Sequence, residues 1–464
     1  MTVGVSDLAE DLWRGLEALA LPAPVIRLGV TGLSRAGKTV FITNLVANLL
    51  ERGRMPQLTA RDRIEAVYLQ PQPDMTLPRF ALEDHLAAMT GDDPRWPQST
   101  RAVSELRLSF RVRGRGFLGG MTGPRVLHVD IVDYPGEWLL DLSLLDKSYE
   151  DWSEGVLARI TRRAEAAAFM ALARAEDGSL ALEEPKAIDL AASFTRYLVA
   201  ARAAGWSDCT PGRFLLPGDL AGSPVLTFAP LPKPASTGRG RLYAEMQVRF
   251  EAYKAQVVRP FFRDHFARID RQVVLVDVLG AIHQGPRAVE DLRRTMAEVL
   301  AAFRPGQNGW LDWMLGGKRV ERILFAATKA DHLHHRQHAA LTAITEALLR
   351  DAKARADFAG AETMALSLAS LRCTVEEEIS RGGETLDAVR GRLADGRVVA
   401  MYPGELPGDP ARILAPAREG AEKWLNADFA LMAFSPSRVA RKPGEGPPHI
   451  RLDRAAEFLV GDRL

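Results

Sequence analysis

Residues 25–50, VIRLGVTGLSRAGKTVFITNLVANLL, decide the fold of this chain. Their middle part, from Gly32 to Thr39, matches G-x-x-x-x-G-K-[ST], the phosphate-binding P-loop. An apolar strand pattern precedes the match and a helix pattern follows it over 38–50, which is the context that a P-loop requires. A chance match is the alternative, but it would not explain these flanks. The segment therefore predicts a strand, a phosphate-binding turn and a helix.

The residue types in this turn suit a phosphate group. Several backbone N–H groups must point inward at one phosphate, and side chains would block the approach, which explains Gly32 and Gly37. The N-terminus of the helix adds its positive dipole end. Lys38 brings a full charge to the β- and γ-phosphates, and the Thr39 hydroxyl is placed to bind Mg²⁺. The predicted phosphate-binding residues of this segment are Gly32, Ser34, Arg35, Ala36, Gly37, Lys38 and Thr39.

The composition is that of an ordinary globular protein. A length of 464 residues predicts two or three domains, and a formal net charge of +1 gives no support for a nucleic-acid partner. With Cys209 and Cys373 as the only cysteines, we expect neither a disulfide framework nor a cysteine zinc site, and a reducing cytosol is the natural location. No run approaches the roughly 18 apolar residues of a membrane span. The N-terminus also lacks the charged segment followed by an apolar segment that is typical of a signal peptide. We expect a cytoplasmic protein without a transmembrane segment.

Strand and helix patterns alternate along most of the chain, which predicts an α/β fold with a mostly parallel sheet and a ligand at the C-terminal ends of its strands. The proline-rich residues 53–104 are interpreted as a long connection. Apolar and polar residues alternate over 106–113, which predicts an edge strand with one face in water. The predicted organisation is an N-terminal helix in 1–24, a nucleotide-binding domain at 25–139 and 271–374, an inserted mainly helical domain at 140–270, and a C-terminal extension at 375–464 packed on the nucleotide-binding domain.

Two further motifs follow apolar strands. Asp133-Tyr134-Pro135-Gly136 fits D-x-x-G, in which the acidic residue holds Mg²⁺ and the N–H of Gly136 can contact the γ-phosphate. Thr328-Lys329-Ala330-Asp331 fits [NT]-K-x-D. Because a carboxylate only accepts hydrogen bonds, Asp331 suits the N1–H and N2 amine of guanine, whereas adenine would leave it unpaired. The alternatives are an aspartate-capped turn for the first motif and a helix N-cap for Asp331. We predict Thr328, Lys329 and Asp331 as guanine-binding residues.

Three motifs in this order resemble those of a Ras-like GTPase. With GLSRAGKT, DYPGEW and TKADHLHHRQH, together with WPQST before the second strand and FLLPGDL at 214–220, the chain resembles the bacterial YcjX family of stress-induced P-loop GTPases over essentially its whole length. The resemblance implies a Ras-like P-loop NTPase sheet, with one antiparallel edge strand, and an inserted helical domain. It also implies a role in the envelope stress response and a membrane-protein partner, with attachment to the inner membrane through that partner.

Two residues depart from a Ras-type site. Glu137 follows the glycine of D-x-x-G, where Ras-type enzymes carry a water-orienting glutamine. Its carboxylate can serve as a base, point away, or slow turnover. Arg35 occupies the P-loop position at which guanylate-binding proteins carry an internal arginine finger, and we hypothesise the same role here, completed by a nucleotide-dependent dimer. Local pairing with an acid such as Glu137 is the alternative. The predicted catalytic residues are Lys38, Arg35 and Glu137.

Weaker patterns give three further residues of the site. Thr100 is predicted to sense the γ-phosphate and to bind Mg²⁺, which makes the metal set Thr39, Thr100 and Asp133, with Ser99 and Thr90 as alternatives to Thr100. Ser370 and Leu371, after the last core strand, are predicted to flank the base.

Four histidines follow Asp331 closely, at positions 332, 334, 335 and 338. His334 and His338 have the i, i+4 spacing that can hold a metal ion. No acidic ligand lies among them, so packing around the nucleotide or the helix start is the favoured interpretation.

The sequence thus predicts a protein that hydrolyses GTP to GDP and phosphate with Mg²⁺ and acts as a nucleotide-dependent switch. One alternative is a nucleotide-regulated scaffold with negligible hydrolysis. The other is an ATP-using P-loop NTPase.

Overall fold

The structure is a computed structural model that describes residues 23–33, 36–98, 102–114, 124–301, 320–358, 360–424, 429–438 and 442–464. Several predictions fall on other positions and lie outside the described residues. These are the N-terminal helix, which was predicted within 1–24, the P-loop residues Ser34 and Arg35, and the candidates Ser99 and Thr100.

A seven-stranded sheet forms the centre of the molecule, in the order β2-β3-β4-β1-β5-β6-β7. β1 runs parallel to β4 and β5, and β6 and β7 continue the parallel part. The fold class predicted from the sequence, a mostly parallel Ras-like α/β sheet, is confirmed. The strands are β1 Val25–Gly32, β2 Ile64–Gln70, β3 Ser104–Val112, β4 Arg125–Asp133, β5 Arg271–Val276, β6 Arg322–Ala327 and β7 Glu362–Ser367.

The antiparallel strand lies inside the sheet, and the prediction of a solvated edge strand at 106–113 is wrong. β3 pairs antiparallel with β4 on one side and with β2 on the other. β2 comes from the segment interpreted as a connection. Arg107 on β3 forms a two-pronged ion pair with Asp130 of β4, at 2.6 and 2.8 Å, and Ser109 is buried. The polar side chains of β3, which the alternating pattern predicted to face water, therefore have partners on the neighbouring strand or are buried.

Helices connect many of the strands, and a large group of them lies between β4 and β5 in the chain. Helix Lys38–Glu51 follows the P-loop as predicted, and its apolar side chains pack into the core beneath β1, β3 and β4. The other α-helices within the described ranges are Leu82–Thr90, Gly136–Leu140, Tyr149–Ile160, Ala167–Ala175, Glu184–Ala203, Gly212–Leu215, Leu242–Tyr253, Arg259–Asp264, Val278–Gln284, Pro286–Ala301, His338–Leu348, Arg350–Phe358, Ala411–Glu419 and Leu452–Ala456.

The helices between β4 and β5 share an aromatic core. Trp152 stacks on Phe250 with ring centroids 5.0 Å apart, and Phe194 and Phe228 contact Trp152 edge-on. This core reaches the end of β4 through Trp138. The helical region thus packs directly against the D-x-x-G segment, although its status as a separate domain stays a prediction.

The region after β7 begins with a second, three-stranded antiparallel sheet in the order β10-β9-β8. Its strands are β8 Thr374–Arg381, β9 Glu384–Arg392 and β10 Val398–Met401. The final helix, Leu452–Ala456, continues as a π-helical turn to Gly461 and packs into the core of the main sheet. Among the described residues, no helix combines the length and the apolar character needed to cross a bilayer.

Candidate nucleotide-binding site

A cavity of about 390 Å³ opens where β1, β6 and β7 end. The P-loop and the T-K-x-D segment both line it. This is the edge of the sheet at which α/β proteins bind ligands, because the connections diverge there. The sequence-predicted residues that line the cavity are Ala36, Gly37, Lys38, Thr39, Glu137, Thr328, Lys329, Asp331, Ser370 and Leu371.

The described part of the P-loop has the backbone shape that its glycines permit. Gly37 has φ of +83°, a left-handed conformation that favours glycine, and it directly precedes helix Lys38–Glu51. The Lys38 ammonium donates to the Gly32 carbonyl at 3.1 Å. The lysine charge is therefore held at the mouth of the loop, beside the end of the helix that attracts anions.

Gly136 of the D-x-x-G motif lies directly against this loop. A Cβ atom at Gly136 would fall 1.9 Å from the Gly32 carbonyl oxygen and 2.7 Å from the Lys38 nitrogen. Only a glycine permits this approach. The backbone after β4 is thus next to the group predicted to bind the β- and γ-phosphates.

Two oxygen ligands predicted for Mg²⁺ are near the same place. Thr39 lines the cavity, and Asp133 ends β4, where it pairs in register with Val30 of β1. Both side chains are buried. A hydroxyl and a carboxylate are hard oxygen donors, the kind that Mg²⁺ prefers, so the donor set fits this ion. The alternative candidate Thr90 does not line the cavity, and its hydroxyl donates to the Leu86 carbonyl at the end of a helix.

The T-K-x-D segment is fixed by contacts from β5 and β8. Lys329 adopts the left-handed conformation, with φ of +62°, and its ammonium forms an ion pair with Asp277. One oxygen of the Asp331 carboxylate accepts a hydrogen bond from the N–H of Cys373 at 2.9 Å, and the Thr374 hydroxyl donates to the Asp331 carbonyl. The carboxylate is therefore held in one orientation while it lines the cavity.

Several residues of this cavity were not predicted from the sequence. Trp96 donates to the Phe434 carbonyl at 2.9 Å, and Phe434 packs edge-on against His332. Burial lowers the pKa of His332, which keeps the ring neutral. For His332, packing around the nucleotide or the helix start was the favoured interpretation, but nothing in the sequence connects residues near 96 with residues near 434. The lining residues that were not predicted are Val40, Trp96, Pro97, Gln98, Ala369, Ala433 and Phe434.

Glu137 has a partner from the helical region. The Arg202 guanidinium lies 2.6 Å from the Glu137 carboxylate, and the glutamate side chain is only 6% exposed. Glu137 lines both the nucleotide cavity and a neighbouring cavity shared with Arg202 and Trp206. Its negative charge is thus neutralised by helix Glu184–Ala203.

Asp141, four residues further on, fixes the same segment to the helical region. Its carboxylate accepts hydrogen bonds from the N–H of Gly212 at 2.7 Å, from the N–H of Arg213 at 3.3 Å and from the Tyr253 hydroxyl at 2.6 Å. Trp138 adds a hydrogen bond to the Leu216 carbonyl. A movement of the D-x-x-G segment would therefore break buried contacts with the helical region or move that region too.

This carboxyl group predicts a pH dependence of stability. Burial raises the pKa of Asp141 from 3.8 to about 6, against the effect of its hydrogen bonds. The folded protein thus keeps this proton to a higher pH than the unfolded chain, so the group's contribution to stability falls as pH rises from about 4 to about 6. Asn cannot ionise, so the Asp141→Asn variant does not lose this contribution. As pH rises over this range, its free energy of unfolding should therefore increase relative to that of the wild type, by about 3 kcal/mol at most.

Urea unfolding of both proteins between pH 4 and pH 7, followed by tryptophan fluorescence, measures this difference. Asp84→Asn provides the control, since Asp84 is exposed on helix Leu82–Thr90. A difference between wild type and Asp141→Asn that does not change with pH would contradict the expected shift.

The histidines do not form the metal pair that their spacing suggested. His338 turns its Nε2 atom to the Ala330 carbonyl at 2.8 Å, and its Nδ1 atom faces Arg451 at 3.1 Å. His334 instead lies beside His335, with ring centroids 4.3 Å apart. The disfavoured alternative, a His334–His338 metal pair, is therefore absent, because the chain makes a 3₁₀ turn before the helix begins at His338.

A mostly parallel sheet of this order with a P-loop after β1 defines the class: the chain is a Ras-like P-loop protein. Residues 26–464 match the model of the YcjX-like family, DUF463. The chain is 39% identical over 457 residues to the "Ras-like GTPase YcjX" of Escherichia coli K12, covering 95% of this chain and 96% of that protein. It is 32% identical over 467 residues to the protein of the same name from Shewanella oneidensis MR-1, covering 95% and 94%. The chain therefore belongs to the YcjX-like family.

Proposed function

We propose that this protein binds GTP and hydrolyses it, with Mg²⁺, to GDP and phosphate. The observation that carries the proposal is the single cavity lined by both the P-loop and the T-K-x-D segment. A phosphate group and a purine base of one nucleotide would occupy these two parts. The printed names of the two relatives, both Ras-like GTPases, support the same activity.

The side chains of this site have distinct tasks in the proposal. Lys38 and the backbone of the P-loop hold the β- and γ-phosphates, and Asp331 selects guanine. Thr39 and Asp133 would hold Mg²⁺, which supplies neutralisation of phosphate charge when it is bound. Gly136 would respond to the γ-phosphate, and its close approach to the Gly32 carbonyl of the P-loop supports this role.

The helical region takes part in the switch in this proposal. Arg202 neutralises Glu137, and Asp141 holds the D-x-x-G segment to Gly212 and Tyr253. Binding of the γ-phosphate next to Gly136 would change the balance of these contacts. The conformation of the helical region would thus depend on the bound nucleotide, and a partner that binds this region could distinguish the GTP-bound from the GDP-bound protein.

The ion pair of Glu137 also supports a second candidate, a nucleotide-regulated scaffold with negligible hydrolysis. A carboxylate engaged by Arg202 is not placed to orient an attacking water in the way that glutamine does in Ras-type enzymes. A role in the envelope stress response, through a membrane-protein partner, is compatible with both candidates. This role and the peripheral location at the inner membrane stay predictions from the family resemblance. The nucleotide-dependent dimer also stays a prediction.

A phosphate-release assay combined with nucleotide titrations tests the function. With Mg²⁺, we expect the wild-type protein to release phosphate from GTP and not from ATP. In Arg202→Gln, the buried carboxylate of Glu137 loses its counter-charge. We expect this variant to lose about tenfold in affinity for a non-hydrolysable GTP analogue and less for GDP, because a carboxylate at the cavity repels the additional γ-phosphate charge.

Arg196→Gln is the matched control, since Arg196 lies exposed on the same helix. Tight GTP binding with turnover near zero would favour the scaffold. Equal phosphate release from ATP would contradict the assignment of the base. Equal losses for GDP and the GTP analogue in Arg202→Gln would show that the pair supports the fold and not the γ-phosphate.

A further inference from the structure

Outside the nucleotide cavity, two acidic side chains of the C-terminal sheet face the loop that follows Asp331. Glu376 lies on β8 and Asp387 on β9. Glu376 is directly opposite Val389, two residues from Asp387, so the two carboxylates are diagonal neighbours on one face of the sheet. Each side chain is 24% exposed.

His334 and His335 meet these carboxylates. The Nδ1 atom of His335 lies 2.7 Å from Oε2 of Glu376, and the Nε2 atom of His334 lies 3.7 Å from the same oxygen. One nitrogen of each ring and one oxygen of Glu376 lie within 4.8 Å of one another. The Nδ1 atom of His334 is 3.7 Å from Asp387. The acidic ligand that the sequence lacked near the histidines therefore comes from a strand about 40 residues later in the chain.

We propose that His334, His335 and Glu376 form a binding site for a divalent cation of the Zn²⁺ class, with Asp387 beside them as a further donor. Two imidazoles and one carboxylate are a protein ligand set of zinc sites that keep a fourth position for water. Imidazole nitrogens favour zinc, nickel or copper over Mg²⁺, which separates this site from the oxygen ligands of the nucleotide cavity. Ligands about 2.0–2.2 Å from one tetrahedral ion lie about 3.4 Å from each other. The nitrogen of His335 would therefore move away from Glu376 from 2.7 Å, and the nitrogen of His334 would move closer from 3.7 Å.

Neighbouring cations leave this donor set available. Arg372 lies 3.5 Å from the other oxygen of Glu376, Oε1, and Arg336 pairs with Asp387 at 3.0 and 3.1 Å. Oε2 of Glu376 thus faces the two histidines, whereas Asp387 must share its charge with Arg336. We therefore place Asp387 as a neighbour that completes the site and not as one of its three principal ligands.

The location gives the ion a structural consequence. His334 and His335 lie three and four residues after Asp331, and β8 supplies both Glu376 and the Thr374 hydroxyl that donates to the Asp331 carbonyl. A bound cation would fasten the C-terminal sheet to the loop that carries Asp331. This inference does not depend on the proposed hydrolysis of GTP, because its ligands lie outside the nucleotide cavity.

Titration of the full chain with Co²⁺ and Zn²⁺ tests the site. After treatment with a chelator, and with excess Mg²⁺ and GDP to occupy the nucleotide cavity, we expect one equivalent of Co²⁺ to bind with a visible d–d absorption band. One equivalent of Zn²⁺ should displace it. His335→Gln and Glu376→Gln should each lower the Zn²⁺ affinity at least about tenfold, since each removes a ligand.

The His335 variant keeps the test independent of folding, because its side chain is 62% exposed. His85→Gln, on helix Leu82–Thr90, is the matched control and should bind Zn²⁺ like the wild type. The absence of a d–d band, or Zn²⁺ binding that neither variant weakens, would overturn the proposal and leave the cluster as hydrogen-bonded ion pairs.

Discussion

The Asp331→Asn variant should lose at least about a hundredfold in affinity for GDP and gain affinity for xanthosine diphosphate. The carboxylate accepts hydrogen bonds from the two donors on the guanine edge, whereas an amide presents a donor of its own. In the structure, the N–H of Cys373 already occupies one carboxylate oxygen at 2.9 Å. The amide oxygen must take that place, which turns the amide NH₂ group toward the cavity.

A donor facing the donors of guanine leaves buried polar groups unpaired, and sites of this kind reject the wrong ligand by large factors. Xanthine carries an oxygen at C2, which can accept from the amide. Calorimetric titration with both diphosphates measures the exchange. Because the variant keeps the hydrogen bond from Cys373, its thermal stability should match the wild type, and equal GDP affinities would contradict the assigned role of Asp331.

The Gly136→Ala variant should lose at least about a hundredfold in the rate of GTP hydrolysis. The added methyl group would lie 1.9 Å from the Gly32 carbonyl oxygen, far inside contact distance, and 2.7 Å from the Lys38 nitrogen. Either the D-x-x-G segment or the P-loop must move by about 1 Å or more. A displacement of this size at a reacting group is sufficient for such a loss.

Gly408→Ala is the control for this substitution, because a Cβ atom at Gly408 would meet no atom within 4 Å. Single-turnover phosphate release compares the three proteins, and GDP affinity shows whether the P-loop itself has moved. A Gly136→Ala protein that hydrolyses GTP at the wild-type rate would contradict the close approach of this segment to the P-loop.

The sequence predicted those parts of the site that are local in the chain. Gly37 and Lys38 belong to a turn and a helix start whose geometry is set by neighbouring residues. The sequence motif is therefore sufficient to predict the local structure. The place of Asp331 at the cavity was predictable for the same reason, since it lies in the short segment that follows the buried strand β6. The strands on either side of these motifs were equally recognisable, because parallel strands buried on both faces are continuous apolar runs.

Contacts between distant segments could not be predicted. The hydrogen bond from Trp96 to Phe434 joins residues 338 positions apart. Arg202 and Glu137 lie in different regions of the chain, and only folding brings them together. β2 was missed because it is a partly exposed edge strand in a proline-rich segment. That omission also placed β3 wrongly at the edge, since β2 is the strand that covers it.

The most direct test of the central claim, that one cavity joins a phosphate site to a guanine site, is the nucleotide selectivity of the wild-type protein. Calorimetric titration with GDP, a non-hydrolysable GTP analogue and ADP, each with Mg²⁺, measures it. We predict that both guanine nucleotides bind at least about a hundredfold more tightly than ADP. Equal affinity for ADP would contradict the assignment of Asp331 as the base-selecting residue and leave only the P-loop.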